Sequence, residues 1–215
     1  MDEFASANAT RASYDAVAEE YAARFFGELA AKPLDRALLD AFAEQTRALG
    51  PVADLGCGPG QVARYLSERG CEALGIDLAP EMVAVARRLS PGVRFEQGSM
   101  LALDVADGGW GGLTAFYSII HIAPDDLGRA LAEFHRALRP GGLGLLAFHV
   151  GTERIHSDEW WNRPVELDFQ FYELDDLAGR LESAGFTIEA RLVRRPYAPI
   201  EHPSQRGYLL ARKEI

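Results

Sequence analysis

The stretch Val52-Ala53-Asp54-Leu55-Gly56-Cys57-Gly58-Pro59-Gly60 decides the fold of this chain. A short apolar strand runs into three glycines at alternate positions, and a helical pattern begins at Gln61. Glycines in such a turn let a ligand approach the backbone beside a helix N-terminus, which attracts negative charge. The alternative is a glycine turn that only packs a helix on a strand.

The glycine spacing argues against a nicotinamide dinucleotide. A dinucleotide fingerprint is G-x-G-x-x-G, and counted from Gly56 its third glycine would fall on Gln61. The spacing here is G-x-G-x-G. Asp54, two positions before the first glycine, would repel a pyrophosphate but would hold a ligand that carries an ammonium group.

Outward from this stretch, short apolar strands alternate with helical patterns, which is typical of a doubly wound α/β sheet. The predicted strands cover 52–55, 73–77, 93–97, 113–120, 143–150, 187–194 and 207–213. The predicted helices cover 10 to about 29, 33 to about 49, 61–69, 80–89, 125–138 and 174–184. We expect a turn at Arg139-Pro140-Gly141-Gly142, and a long irregular segment over 152–171, where no period is visible.

Composition excludes several classes of protein. The 215 residues are 48% hydrophobic and 25% charged, which predicts one globular domain and no disordered or fibrous structure. With 22 basic and 32 acidic residues the net charge is −10, which disfavours nucleic acid and anionic lipid as partners. No apolar run or leader-like start is visible, so we expect a cytoplasmic protein. Cys57 and Cys71 are expected to be free thiols, and no metal site is predicted.

A second motif is Leu74-Gly75-Ile76-Asp77, whose carboxylate ends the next strand. An acid at this position accepts hydrogen bonds from both hydroxyls of a ribose in other nucleoside-binding α/β folds. A lone strand-end Asp can also be a helix N-cap. Together with the glycine loop, Asp77 favours nucleoside binding.

From about 52 to 150 the sequence resembles the class I S-adenosylmethionine-dependent methyltransferases. Four motifs occur in the family's order: Asp54 to Gly60, Gly75-Ile76-Asp77, Phe95-Glu96-Gln97-Gly98-Ser99-Met100, and Leu138-Arg139-Pro140-Gly141-Gly142. The resemblance implies a Rossmann-like seven-stranded, mostly parallel sheet with an antiparallel last strand and an N-terminal helical lid. One departure is Ser99, where the family commonly has an Asp that bonds the adenine amino group.

The resemblance also implies which residues bind S-adenosylmethionine. The glycine loop is expected on the methionine moiety and ribose, Asp77 on the ribose hydroxyls, and the end of strand three on the adenine. The implied cofactor residues are Tyr14, Tyr21, Asp54, Gly56, Cys57, Gly58, Gly60, Asp77, Leu78, Met82, Gly98, Ser99, Met100 and Tyr117. Arg24 and Lys32 are weaker candidates for the cofactor carboxylate.

Candidates for the acceptor side lie at predicted strand ends and in the irregular segment. His121 and His149 are candidate catalytic residues, as a base or an orienting group, with ordinary packing as the alternative. The candidate substrate-binding residues are His156, Trp160 and Trp161. The alternative is that these side chains only fill space in the fold. Tyr14 and Tyr21 share one face of the first helix, where aromatic rings suit a sulfonium cation.

These observations predict a single methyltransferase domain over 1–215. Residues 1–50 would form N-terminal helices and a lid, 51–150 the cofactor-binding core, and 151–215 a substrate-side segment with C-terminal strands. We expect in-line methyl transfer to a small-molecule acceptor. The alternatives are a protein or peptide methyltransferase and a non-catalytic cofactor-binding scaffold. The acceptor and the oligomeric state are not predicted.

Overall fold

The computed structural model describes residues 5–214, so 1–4 of the polar start and residue 215 lie outside the description. The strands are β1 (Val52–Leu55), β2 (Ala73–Asp77), β3 (Arg94–Gln97), β4 (Trp110–Phe116), β5 (Leu138–His149), β6 (Arg154–Trp160), β7 (Arg163–Gln170), β8 (Phe186–Arg194) and β9 (Arg206–Lys213). The α-helices are α1 (Ala5–Phe25), α2 (Pro33–Thr46), α3 (Gln61–Ser67), α4 (Pro80–Leu89), α5 (Leu127–Ala137) and α6 (Leu174–Ser183).

Seven strands form one sheet in the order β3-β2-β1-β4-β5-β9-β8. The first five strands of this order pair in parallel, and β9 pairs antiparallel with both β5 and β8. The predicted Rossmann-like sheet with its antiparallel last strand is therefore confirmed.

The centre of the sheet is apolar because helices cover both of its faces. All four residues of β1 are buried, and so are six of the seven in β4. On α5, Leu127, Leu131 and Phe134 recur on one face and are almost fully buried. The alternation of such strands and helices brings the carboxyl ends of the parallel strands to one edge.

The predicted irregular segment is instead a β-hairpin, so that prediction is wrong. β6 and β7 pair antiparallel, and the turn between them holds Trp161 and Asn162 at φ +51° and +60°. Two-residue hairpin turns of this kind usually use Asn-Gly. Here the turn residues are Trp161 and Asn162, so the sequence lacks the usual turn motif. Val165 and Leu167 alternate inward on β7 and are buried.

Three other boundaries differ from the prediction. β4 ends at Phe116, because Tyr117 takes a left-handed backbone with φ +54°, and a 3₁₀ turn covers Ile119–His121. The Arg139-Pro140-Gly141-Gly142 stretch lies inside β5, where Trp110 pairs with Leu138 before a bulge in the register. The first helix also ends earlier than predicted, at Phe25, and a separate 3₁₀ turn follows at Glu28–Ala31.

Within residues 5–214, no helix combines the length and the apolar character needed to cross a membrane. Cys57 and Cys71 are buried free thiols.

Candidate active site

A cavity of about 540 Å³ opens at the carboxyl ends of the parallel strands. Its wall combines residues from the sheet edge, from α1, from the β6–β7 hairpin and from the loop that precedes β9. Ligands of open α/β sheets bind at this edge, and the volume is within the usual range for small-molecule sites. The cavity is therefore the candidate site.

The glycine loop after β1 forms part of the cavity floor. Gly56 and Gly58 have φ angles of +65° and +52°, a conformation that glycine adopts without strain. A Cβ on Gly56 would lie 2.4 Å from Cβ of Ser118. A Cβ on Gly58 would meet, among the described residues, only Cε1 of Tyr21 at 3.8 Å. The space above Gly58 is therefore open for a ligand.

Asp77 joins the end of β2 to this loop. Its Oδ2 accepts a hydrogen bond from the backbone N–H of Gly58 at 2.7 Å, and its Oδ1 accepts one from Ala79 at 2.9 Å. Burial raises the pKa of this carboxyl to about 6. Each oxygen keeps a further lone pair, so the carboxylate can accept hydrogen bonds from a ligand in the cavity.

An apolar wall continues from Asp77 along the cavity. It consists of Ile76, Leu78 and Met82 on one side and of Gly98, Ser99 and Met100 on the other. The hydroxyl oxygen of Ser99 accepts a hydrogen bond from the backbone N–H of Leu101 at 3.2 Å. This wall suits a flat apolar ring.

Asp54 lies beneath the loop and does not belong to the cavity wall. Its Oδ1 accepts a hydrogen bond from the hydroxyl of Thr114 at 2.8 Å, whereas Oδ2 is buried without a partner among the described residues. Burial raises the pKa of the Asp54 carboxyl to about 7. Its position supports β1 and β4 rather than a direct ligand contact.

The roof of the cavity is made by α1 and the hairpin together. Tyr14 and Tyr21 meet edge to face with ring centroids 5.7 Å apart, and Trp160 lies 6.0 Å from the first ring and 6.2 Å from the second. The hydroxyl oxygen of Ser13 accepts a hydrogen bond from the backbone N–H of Glu166 at 2.7 Å. The helix and the hairpin therefore form one lid.

His121 lies under this lid as a neutral imidazole. Its Nδ1 is 2.9 Å from the carbonyl oxygen of Asp168, which only accepts, so Nδ1 carries the hydrogen. Nε2 then accepts a hydrogen bond from the hydroxyl of Tyr14 at 2.7 Å. Burial lowers the pKa of His121 to about 4, so this residue is a weak proton acceptor.

His149 and His156 differ in their surroundings. His149 stacks on Phe171 with ring centroids 4.9 Å apart, and burial, with the charge of Arg206 next, lowers its pKa to about 3. His156 is half exposed at the cavity rim and lies 3.1 Å from the carboxylate of Asp168.

The structure gathers most of the predicted site residues on the cavity wall. Those that line it are Tyr14, Tyr21, Gly56, Cys57, Gly58, Asp77, Leu78, Met82, Gly98, Ser99, Met100, Tyr117, His121, His149, His156 and Trp160. Three others stand outside the wall: Asp54, Gly60 and Trp161. Gly60 serves packing, because a Cβ there would lie 2.6 Å from the ring of Phe95.

Apart from Lys32, a weak candidate, sequence reasoning missed a group of buried charges beside the cavity. Lys32 and Arg206 line it, and behind them Arg194 pairs with Asp35 at 2.8 Å and with Glu201 at 2.6 Å. All five side chains are less than one tenth exposed. No local pattern marks them, since they are far apart in the sequence. The other weak candidate, Arg24, is exposed and lies over the ring of Trp161.

Comparison with known proteins agrees with this geometry. Residues 52–142 match the family described as "Methyltransferase domain". Malonyl-[acyl-carrier protein] O-methyltransferase of Enterobacter lignolyticus is 37% identical over 106 residues, which are 47% of this chain and 39% of that protein. Demethylmenaquinone methyltransferase of Thermus thermophilus is 39% identical over 97 residues, 42% of this chain and 43% of that one. The chain thus spans about two fifths of the length of these relatives.

Solved structures share the fold over nearly the whole chain. A complex of DhpI with SAH superposes with a TM-score of 0.75 at 23% identity and covers 96% of both chains. A TehB-like S-adenosylmethionine-dependent methyltransferase of Corynebacterium glutamicum superposes with a TM-score of 0.66 at 23% identity, covering 92% of this chain and 98% of that one. With the sheet order, the glycine loop and its Asp77 partner, these similarities show that the chain has the fold of S-adenosylmethionine-dependent methyltransferases and that residues 52–142 match their methyltransferase domain.

Proposed function

We propose that this chain is a methyltransferase that binds S-adenosylmethionine and methylates a small-molecule acceptor by direct in-line transfer. The observation that carries the proposal is that one cavity runs from Gly58 and Asp77 to the aromatic residues beneath the lid. When bound, S-adenosylmethionine would supply a methyl group on a sulfonium, so that the acceptor bonds to the methyl carbon as the carbon–sulfur bond breaks and S-adenosylhomocysteine leaves.

The residues present fit this cofactor from one end to the other. The carboxylate of Asp77 suits the ribose hydroxyls, and the apolar wall up to Met100 suits the adenine. At the opposite end, Oε1 of Gln61 is buried without a partner among the described residues, and its amide group donates to Glu28 at 3.1 Å. Oε1 of Gln61 and the carboxylate of Glu28 suit the ammonium group of the cofactor, and the neighbouring Lys32 suits its carboxylate.

The lid supports catalysis by orientation and by exclusion of water. Tyr14, Tyr21 and Trp160 close the cavity above the glycine loop. The hydrogen bond from Tyr14 to His121 fixes both side chains beside the predicted reaction site. Because the pKa of His121 is lowered to about 4, this residue orients groups better than it removes a proton.

A small acceptor is favoured over a folded protein because α1 and the hairpin cover the cavity. The two curated relatives are named for a malonyl group on a carrier protein and for demethylmenaquinone, and both support a small acceptor group. A peptide methyltransferase and a non-catalytic scaffold remain the alternatives.

Calorimetry with S-adenosylhomocysteine, S-adenosylmethionine and NAD tests the cofactor. We expect both sulfur ligands to bind and NAD to give no heat. The variant Gly58→Val places a side chain in the open space above the loop and should abolish binding, whereas Gly128→Ala, on the open face of α5, should not change it. Binding of NAD alone would overturn the assignment.

Mass spectrometry tests the reaction itself. The protein is incubated with S-adenosylmethionine and a fractionated extract of its host, and products that gain one methyl group are sought. We expect a small product. A methylated peptide or protein would support the first alternative, and cofactor binding without any methylated product would support the scaffold.

A further inference from the structure

The cavity has a chamber beyond Tyr117 that the cofactor motifs do not explain. Tyr117, His149, Phe171, Ile200 and Arg206 line it. Phe171 stacks on His149, and the guanidinium of Arg206 lies 5.6 Å from the centre of the Tyr117 ring. The chamber is thus mainly apolar, with a buried cation at one end.

Arg206 has donors that the protein does not use. Its Nη1 donates to the carbonyl oxygen and the hydroxyl of Ser204 at 2.7 and 2.6 Å, and its Nη2 donates to the carbonyl oxygen of His202 at 3.2 Å. A guanidinium has five N–H groups, so two of them have no acceptor within the described chain. The nearest carboxylate oxygen, Oε1 of Glu201, is 3.9 Å from Nε, which is too far for a hydrogen bond.

Glu201 is already occupied by another partner. Its two oxygens accept hydrogen bonds from Nη1 and Nη2 of Arg194 at 2.6 and 2.8 Å, and Oε2 also accepts one from the backbone N–H of Tyr197 at 2.7 Å. Arg206 is therefore a buried cation whose nearest counter-ion is held by a second arginine. Buried charges of this kind favour a bound counter-ion.

His149 adds a second donor. The hydroxyl of Ser204 accepts from Arg206 and lies 2.7 Å from Nδ1 of His149 and 3.3 Å from Nδ1 of His202, so its single proton is donated to the nearer acceptor, Nδ1 of His149. A neutral imidazole with an acceptor at Nδ1 carries its hydrogen on Nε2. Nε2 has no partner among the described residues. The chamber thus contains unused donors from both side chains.

We propose that the acceptor is a small organic acid whose carboxylate is bound by Arg206 and Nε2 of His149, with its apolar part against Phe171 and Ile200. The inference rests on the proposed function, because it names the substrate class of the same site. It also agrees with the lowered pKa of His121 and His149, since a carboxylate is bound without transfer of a proton.

Calorimetry on protein saturated with S-adenosylhomocysteine tests the inference. The probes are benzoate, phenylacetate and hexanoate, each compared with its own amide at pH 7.5. We expect at least one acid to bind ten times or more tightly than its amide. If S-adenosylhomocysteine binds normally and no acid is preferred, the inference is wrong and the proposed function stands; if S-adenosylhomocysteine does not bind, the proposed function itself fails.

Variants locate the preference. Arg206→Gln should remove the preference for the acid, and Arg206→Lys should restore part of it because the charge returns. The matched control is Arg195→Gln, since Arg195 is exposed and lies outside the cavity wall. His149→Phe keeps the ring stack on Phe171 and should weaken the acid about tenfold while leaving amide binding unchanged. A preference for the acid that survives in both Arg206→Gln and His149→Phe would overturn the assignment of these residues.

Discussion

At the scale of single residues, Asp77 is the proposed partner of the ribose hydroxyls of the cofactor. Its carboxylate already accepts two backbone hydrogen bonds, one from Gly58 in the glycine loop and one from Ala79 at the start of α4. Asp77→Asn keeps the shape and one acceptor but loses the charge. We expect S-adenosylhomocysteine to bind about 10- to 150-fold more weakly, which corresponds to roughly 1.5–3 kcal/mol for a hydrogen bond to a charged group. Calorimetry measures this change, and an unaltered affinity in the folded variant would contradict the ribose assignment.

The raised pKa of Asp77, about 6, gives cofactor binding a pH dependence. Below pH 6 the free protein holds Asp77 protonated, so the affinity for S-adenosylhomocysteine should fall between pH 7.5 and pH 5. The folding stability depends on pH in the opposite direction. Because the pKa of Asp77 is higher in the folded than in the unfolded protein, its contribution to stability is fully present below about pH 4 and is lost as the pH rises through 6. Titration of Asp77→Asn in parallel isolates this residue, and equal pH profiles for both proteins would refute the prediction.

At the scale of elements, the contact between α1 and β7 depends on a buried hydroxyl. Ser13→Ala leaves the backbone N–H of Glu166 without an acceptor, which costs roughly 1–3 kcal/mol. We expect faster hydrogen exchange in β6 and β7 and dissociation of S-adenosylhomocysteine that is about tenfold faster. Ser183→Ala is the control, because that hydroxyl bonds only the carbonyl oxygen of Gly179 on an exposed helix face. Unchanged hydrogen exchange in the hairpin would show that the hydroxyl of Ser13 does not hold α1 against β7.

Elements with a clear hydrophobic pattern could be predicted from the sequence, whereas the β6–β7 hairpin that covers the site could not. β1 and β2 were predicted with their observed bounds because burial on both sheet faces makes them continuous apolar runs. The hairpin was missed because β6 is almost wholly exposed, and its polar sequence carries no alternation. His121 was expected at the end of a strand over 113–120, although the left-handed backbone at Tyr117 ends that strand first. Backbone strain of this kind leaves no pattern in the sequence.

At the scale of the whole molecule, buried charges connect distant parts of the chain. Arg194 on β8 pairs with Asp35 on α2 and with Glu201 in the loop before β9. Such charges resemble ordinary surface residues in the sequence, because their partners lie far away along the chain. Motifs in the sequence therefore predict the glycine loop and Asp77, which line the cavity, whereas Arg206 reaches the cavity through tertiary contacts that no local pattern encodes.

Removal of Arg194 should destabilise the whole fold. Arg194→Met leaves two buried carboxylates without their main partner, and breaking a buried ion pair in this way costs about 3–5 kcal/mol. We expect a lower urea midpoint with an unchanged slope. Arg191→Met, three residues before it on β8, removes an exposed arginine that pairs with Asp175 and should change the free energy of unfolding by about 1 kcal/mol or less. Equal midpoints for the two variants would show that the network contributes no stability.

The lid joins an early part of the chain to a late one, and this order matters during synthesis. Ser13 and Glu166 are 153 residues apart, so at about 5–20 residues per second the ribosome needs roughly 8–30 s to deliver the partner of α1. The glycine loop and Asp77 are translated within that interval. The glycine loop and Asp77 can therefore fold well before the hairpin that covers them has been synthesised. Until β6 and β7 have emerged, the apolar face of α1 that packs against the hairpin has no partner there.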